Sequence, residues 1–385
     1  MLKEEIQKII ELQKKQLKKD LIDRDIKIKH TSQITIVSGI RRCGKSTLLN
    51  QTLESVKNIT YLNFEDFRLK NFKLEDFDKL PDTKYYFFDE IQNIPEWERF
   101  VRFAHDQRRK IFITGSNASM LSRELGTKLT GRYKLIELFP FSYKEYLTYM
   151  KKQPCKKTFE EYMEEGGFPE YLKEKDPEYL QRLFENILAR DILVRKRIKN
   201  EATITSLANF LISNVGKIFS YNNISKHLKI KSVRTTIDYC KYLQESYLIE
   251  LIPNFNKSIT KQIVHPKKAY AIDSGLIKIN SLSFSEDFGR VLENIVFVNL
   301  RKKYSKIFYF KEDTECDFVI KEKNTITKAI QVCYKLTEEN KNREINGLKE
   351  AMKKTGCKEG IILSLDQEDE LEGIKIIPVW KWLLE

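Results

Sequence analysis

Nowhere in its 385 residues does the chain hold an apolar run approaching the roughly 18 residues that a membrane-spanning helix needs. Its first residues, MLKEEIQKIIELQKKQLKK, show helical spacing at Ile6, Ile9, Ile10, Leu17 and Leu21 but lack the apolar core of a secretion signal. They read as a leading amphipathic helix. The six cysteines, Cys43, Cys155, Cys240, Cys316, Cys333 and Cys357, show no CxxC spacing and none of the regularity of a disulfide framework. That excludes a disulfide-built scaffold and fits a reducing cytoplasm, with the thiols acting mostly as small hydrophobes. The sequence also contains no internal repeat and no low-complexity tract, so a solenoid is excluded.

What is present is a soluble globular balance with a heavily charged surface: 41% hydrophobic and 32% charged residues. The length calls for two or three domains. A net charge of +14 favours a polyanionic partner, nucleic acid first. The competing explanation is a Lys- and Glu-rich, solvated surface.

The first third alternates apolar strands with helix-like stretches, as in a parallel sheet with crossovers, with strands predicted at 34–38, 59–64, 85–88, 110–114 and 134–138. From Phe139 to about Asn200 the pattern is mostly helical, broken at Gln153-Pro154 and at Gly166-Gly167-Phe168-Pro169. A helix–turn–helix pattern follows: a stripe of Ile204, Leu207, Ala208 and Leu211, a short helix opened by Ser220, and a third helix capped by Ser232. Residues 247–252 then read as a strand. The last segment is predicted as helix 288–303, strands 306–311, 315–320 and 326–334, helix 342–354, and strands 360–365 and 374–379. The expected domains are therefore an α/β core at 1–138, a helical segment at 139–200, a helix–turn–helix module at 201–265 and a second α/β domain at 266–385.

Chemistry enters with Gly39-Ile-Arg41-Arg42-Cys43-Gly44-Lys45-Ser46-Thr47, which follows an apolar strand and opens a helix. Glycines let such a loop turn its N–H groups inward around phosphates. Lys45 supplies charge to the β- and γ-phosphates of ATP, Ser46 offers a hydroxyl to Mg²⁺, and the helix N-terminus adds its dipole. The companion run Tyr85-Tyr-Phe-Phe-Asp89-Glu90 delivers two carboxylates at the end of a strand buried on both faces. Asp89 is expected to hold Mg²⁺ and Glu90 to polarise the attacking water. Asn117 or Ser116, after the fourth strand, is placed to orient that water. Arg132, just before the fifth, is placed to act as an arginine finger, with a plain surface arginine as the alternative.

With these residues in hand the chain resembles a large family of prokaryotic AAA-type ATPases whose C-terminal domain of unknown function joins a winged helix to a restriction-endonuclease-like fold. The resemblance rests on the phosphate loop, Phe88-Asp-Glu-Ile-Gln, Thr114-Gly-Ser-Asn, Leu129-Thr-Gly-Arg, Phe139-Pro-Phe-Ser-Tyr-Lys-Glu-Tyr, Gly166-Gly-Phe-Pro-Glu, Arg190-Asp-Ile and Tyr270-Ala-Ile-Asp-Ser-Gly-Leu. It implies a five-stranded parallel sheet of order 5-1-4-3-2 and ATPase activity. The C-terminal segment looks like a nuclease superfamily whose metal site needs an acid on the first helix, an Asp on a strand and Glu/Gln-x-Lys on the next. Glu293 and Asp317 fit, but the third position reads Gln331-Val-Cys333, leaving Lys335 as the only nearby substitute. That is a thin shell for Mg²⁺. The expectation is an ATP-driven switch or motor acting on or with nucleic acid, without nuclease activity. Its rivals are an ATP-gated protein-interaction switch and an ATP-dependent DNA nuclease. An arginine finger acting in trans would need a homo-oligomer.

Overall fold

The computed structural model describes residues 1–17, 22–29, 31–116, 129, 131–198, 200–280 and 287–385. They form two compact units, 1–139 and 140–385.

The first unit contains α1 (Lys3–Lys15), β1 (Ile34–Gly39), α2 (Lys45–Glu54), β2 (Ile59–Asn63), β3 (Tyr85–Asp89), α3 (Trp97–Asp106), β4 (Lys110–Gly115) and β5 (Tyr133–Leu138). All neighbouring strands are parallel, in the order β2-β3-β4-β1-β5, which is the expected order read from the other edge. β1 and β4 are buried almost throughout because each is covered on both faces, which is why their sequences are apolar without alternation. One face is filled by an aromatic cluster in which Phe64, Phe72, Phe77, Phe88 and Phe100 meet edge-on or stacked. Ile6, Ile9 and Ile10 of α1 are buried in the same core, so the leading helix belongs to this unit. Parallel pairing has one consequence for chemistry: β1, β3 and β4 all end on the same edge of the sheet, where Gly39, Asp89 and Gly115 lie.

The second unit opens with helices α4 (Tyr143–Met150), α5 (Lys156–Glu165), α6 (Pro169–Glu174) and α7 (Tyr179–Asn186), the last running on into a π-helical stretch at Ile187–Val194. Next come α8 (Glu201–Ser213), β6 (Ile218–Phe219), α9 (Tyr221–His227), α10 (Val233–Glu245), β7 (Ile249–Pro253), the short α11 (Ile259–Val264) and β8 (Lys267–Ala271). These three strands form an antiparallel sheet of order β6-β8-β7. β8 is missing from the strands predicted from sequence and carries this module past the expected boundary at 265. Its Lys-Lys opening reads as polar, yet every residue of it is buried.

After α12 (Ser274–Asn280) and α13 (Phe288–Lys303) come β9 (Ile307–Lys311), β10 (Glu315–Glu322), β11 (Thr325–Cys333), α14 (Lys341–Thr355), β12 (Glu359–Ser364), β13 (Asp369–Leu371), β14 (Ile374–Pro378) and α15 (Val379–Trp382). The six strands make a mixed sheet, β13-β14-β12-β11-β10-β9.

Candidate active site

At the end of β1 the chain turns through a loop that needs glycine at both of its ends. A Cβ on Gly39 would fall 2.0 Å from the Leu138 carbonyl oxygen, and Gly44 caps α2 at φ 97°. Cys43, inside the loop, is fully buried; its thiol donates to the Leu138 carbonyl at 3.3 Å, and burial pushes its pKa up. It is a packing residue. From outside the loop the buried Arg24 guanidinium donates to the carbonyls of Cys43 and Phe139, both at 2.7 Å, tying the loop to the end of β5. Arg42 takes a left-handed conformation, and Arg41 is paired with Glu65 at 3.2 Å.

Lys45 opens α2 and is 4% exposed, its ammonium donating to the Gly39 and Ile40 carbonyls at 3.2 and 3.1 Å and standing 3.8 Å from Glu90. Ser46, the next residue, hydrogen-bonds Asp89. Thr47 follows on the first turn of the same helix. Asp89 is wholly buried, and burial, reinforced by the neighbouring Glu90 charge, raises its carboxyl to about 6, against the hydrogen bonds of Thr114 and Ser46 and the charge of Lys45. Ser46 and Asp89 supply hard oxygens from two elements at one point, a donor set that suits Mg²⁺. The loop with Lys45 behind it suits the phosphates of ATP.

Glu90 sits at φ 51°, a left-handed conformation that costs a non-glycine residue on the order of 1 kcal/mol. Two residues hold it there, and the sequence-based reading assigned neither a role. Thr114, near the end of β4, donates its hydroxyl to Asp89 and accepts the Glu90 amide at 3.0 Å. Gln92 donates to the Glu90 carboxylate from the turn that follows β3. A signal for Thr114 existed: it is the single hydroxyl residue among the apolar positions of a doubly buried strand. Ser116 is also buried, and its hydroxyl has no partner among the described residues. Asn117 lies outside the described residues. Arg132 is half exposed and paired with Asp106 of α3 at 2.7 Å.

The second cluster expected from sequence lies in the other unit. Glu293 on α13, Asp317 on β10 and Gln331 on β11 do come together: the Asp317 amide donates to Gln331 at 3.2 Å, and the Val332 amide donates to Asp317 at 3.0 Å. Lys335 does not join them. β11 ends at Cys333, so the strand alternation that would aim Lys335 beside Gln331 has stopped, and the residue is exposed. The lysine in the cluster is Lys268 of β8, 1% exposed and 3.1, 2.9 and 2.9 Å from Glu293, Glu315 and Asp317. Burial alone would lower its pKa, but the Asp317 and Glu293 carboxylates outweigh that and hold the ammonium well above its usual value. Tyr270, two residues along β8, donates to Glu293 at 2.6 Å. Gln331 in turn donates to the buried Glu344 at 2.5 Å. The carboxylates thus share one cation supplied by the chain itself. Nothing in the sequence spacing pointed to Lys268, since β8 was not recognised as a strand.

A parallel sheet whose first strand feeds a glycine-bounded loop and a lysine-headed helix, with an acidic pair ending the third strand, defines a P-loop core of the ATPase type. Comparison with known proteins agrees: residues 31–147 match the model of an AAA domain, and residues 156–285 and 288–382 match two domains of unknown function, DUF8612 and DUF4143. An uncharacterized protein of Methanocaldococcus jannaschii, MJ1544, is 36% identical over 95% of this chain and 92% of its own length. An uncharacterized protein of Haemophilus influenzae is 31% identical over 94% and 96%. The chain belongs to this family of AAA-type P-loop ATPases with two C-terminal domains of unknown function. Among solved structures, the Walker-type ATPase PABY2304 of Pyrococcus abyssi is similar over 64% of this chain and 90% of its own, at 16% identity and a TM-score of 0.40. The Thermotoga maritima RuvB Holliday junction branch migration motor is similar over 64% and 87%, at 16% identity and a TM-score of 0.28.

Proposed function

We propose that this chain is a Mg²⁺-dependent, cytoplasmic ATPase that works as a switch or motor on or with nucleic acid. The observation that carries the hydrolysis is the convergence of Lys45, Ser46, Asp89, Glu90 and Thr114 on one edge of the parallel sheet. Lys45 and the loop amides bind the β- and γ-phosphates, while Ser46 and Asp89 hold Mg²⁺. Bound Mg²⁺ supplies neutralising charge to the phosphate oxygens. Glu90, fixed by Gln92 and the Thr114 hydroxyl, accepts the proton of the attacking water. Purified chain should release phosphate from ATP only with Mg²⁺, and nucleic acid should change the rate; no turnover with Mg²⁺ present would reject the reading.

We read α8, α9, α10 and the β6-β8-β7 sheet as a winged helix, on the order of its elements. The net charge of +14 supports a nucleic-acid partner. A protein partner is the second reading, favoured by Ile259, Ile263 and Val264 of α11, which are 72%, 67% and 76% exposed. DNA cleavage is not part of this account. The Lys268 ammonium stands among Glu293, Glu315 and Asp317, in the place between the carboxylates where a metal would sit. Cys333, its thiol pushed up to about 12 by burial, is neutral and a poor partner for Mg²⁺.

A further inference from the structure

Acidic residues make up 55 of the 385 positions, about one in seven, yet they are unevenly spread. The two longest stretches without any Asp or Glu are residues 202–237, 36 positions, and residues 26–53, 28 positions. The shorter one contains the phosphate loop, where a carboxylate would repel the ligand. The longer one has no role in the site already described. It spans α8, β6, α9 and the start of α10, and its cations concentrate at one place: Lys226, Lys229, Lys231 and Arg234, with His227, lie within nine residues around the α9–α10 turn.

All five side chains are exposed. Among the described residues no carboxylate pairs with Lys226, Lys229 or Lys231, whereas Arg234 is paired with Asp238 at 3.3 Å. Further along α10, Lys241 is paired with Glu245 at 3.7 Å. Across α9, the turn and α10, the charge without a carboxylate partner is therefore on the turn and not on the helix that follows it. Ser232 caps α10 through the Thr235 amide, and the first turn of that helix carries no acid, so its dipole adds to the positive field. Residues 225–237 include no Phe, Tyr or Trp, which removes the stacking platform that single-stranded nucleic acid uses.

We propose that the α9–α10 turn is a docking surface for the phosphate backbone of a nucleic-acid duplex, with Lys226, Lys229 and Lys231 as its contacts. This rests on the nucleic-acid reading above. The three lysines bind phosphates as point charges without bidentate geometry, so their contacts recognise backbone and not base sequence.

The test is fluorescence anisotropy of a labelled 30-base-pair DNA duplex, and of the matching single strand, titrated with full-length chain across a salt series. Three proteins are compared: the parent, Lys226→Glu/Lys229→Glu/Lys231→Glu, and a control of equal charge change on exposed residues elsewhere, Lys353→Glu/Lys358→Glu/Lys375→Glu. Matching thermal unfolding curves confirm that all three are folded. Each phosphate contact contributes about 0.9 to the slope of log affinity against log salt, so the turn variant should lose roughly 2 to 3 units of slope and at least about tenfold in affinity. The control should keep the parent slope, and the duplex should outcompete the single strand. A parent that binds neither duplex nor single strand overturns the nucleic-acid reading itself. A parent that binds steeply, with the turn variant unchanged or the control equally impaired, overturns only the assignment to this turn.

Discussion

Thr114 touches both acidic residues of the ATPase site through one hydroxyl, donating to Asp89 and accepting from the Glu90 amide. Thr114→Val keeps the shape and removes both bonds, so Asp89 is left buried with one donor fewer. Steady-state kinetics should show kcat falling by about 10- to 100-fold with KM for ATP changed little, because the loop and Lys45 are untouched. Glu90→Gln should bind ATP and hydrolyse it at least about 100-fold more slowly, as expected for a lost general base. The phosphate-loop residues are legible in sequence, since their motif is contiguous and the strand and helix flanking it are strongly patterned. Thr114 and Gln92 were quoted there only within motifs. The role of Thr114 comes from neighbouring strands being hydrogen-bonded in register, with Phe88 opposite Ile113, and that of Gln92 from the local turn after β3; linear spacing reveals neither.

Among elements, β8 ties the three-stranded sheet to α13 and β10 through Lys268, and patterning does not reveal it as a strand. Its periodicity is hidden because a lysine occupies a core position, which is tolerable only where carboxylates from α13 and β10 surround it. Lys268→Ala would leave Glu293, Glu315 and Asp317 without their cation, at a cost of about 3–5 kcal/mol. The midpoint of urea unfolding should fall accordingly, and adding Asp317→Asn should recover part of the loss; an unchanged midpoint would contradict the buried ion cluster. The sequence-based list of strands is otherwise close, because β9 to β12 and β14 are long and apolar. The two-residue β6 and the three-residue β13 are not among the predicted strands either, being short and mostly exposed.

A second element-level feature is Asp273, just after β8. Its carboxylate accepts the Gly167 and Gly275 amides at 2.7 and 2.9 Å, joining two of the motifs on which the family resemblance rests. Burial outweighs these bonds and raises its carboxyl to about 6. The folded state therefore binds this proton more tightly than the unfolded one. The associated stability is full below the unfolded carboxyl range, near pH 4, and is lost as pH rises through about 6. The stability of the parent chain relative to Asp273→Asn should fall by about 2 kcal/mol between pH 4 and pH 7, read from paired denaturation curves. A pH-independent difference would contradict the raised value.

For the whole molecule, the proposed function needs ATP turnover in the first unit and partner binding in the second. Arg132 bears on whether copies must associate. Its ion pair with Asp106 is half exposed and of the kind worth about 0–1 kcal/mol, so the guanidinium can be redirected at little cost. If it serves a neighbouring copy, Arg132→Ala should keep ATP affinity and lose hydrolysis, and mixing it with Lys45→Ala should restore some activity; constant specific activity at all protein concentrations with no rescue would return it to the surface. The most direct test of the central claim is phosphate release from ATP by the purified chain with Mg²⁺, compared with Lys45→Ala and Glu90→Gln, alongside ATP binding by each. The account predicts turnover by the parent, loss of both binding and turnover in Lys45→Ala, and binding without turnover in Glu90→Gln. Hydrolysis at the parental rate by either variant would contradict it.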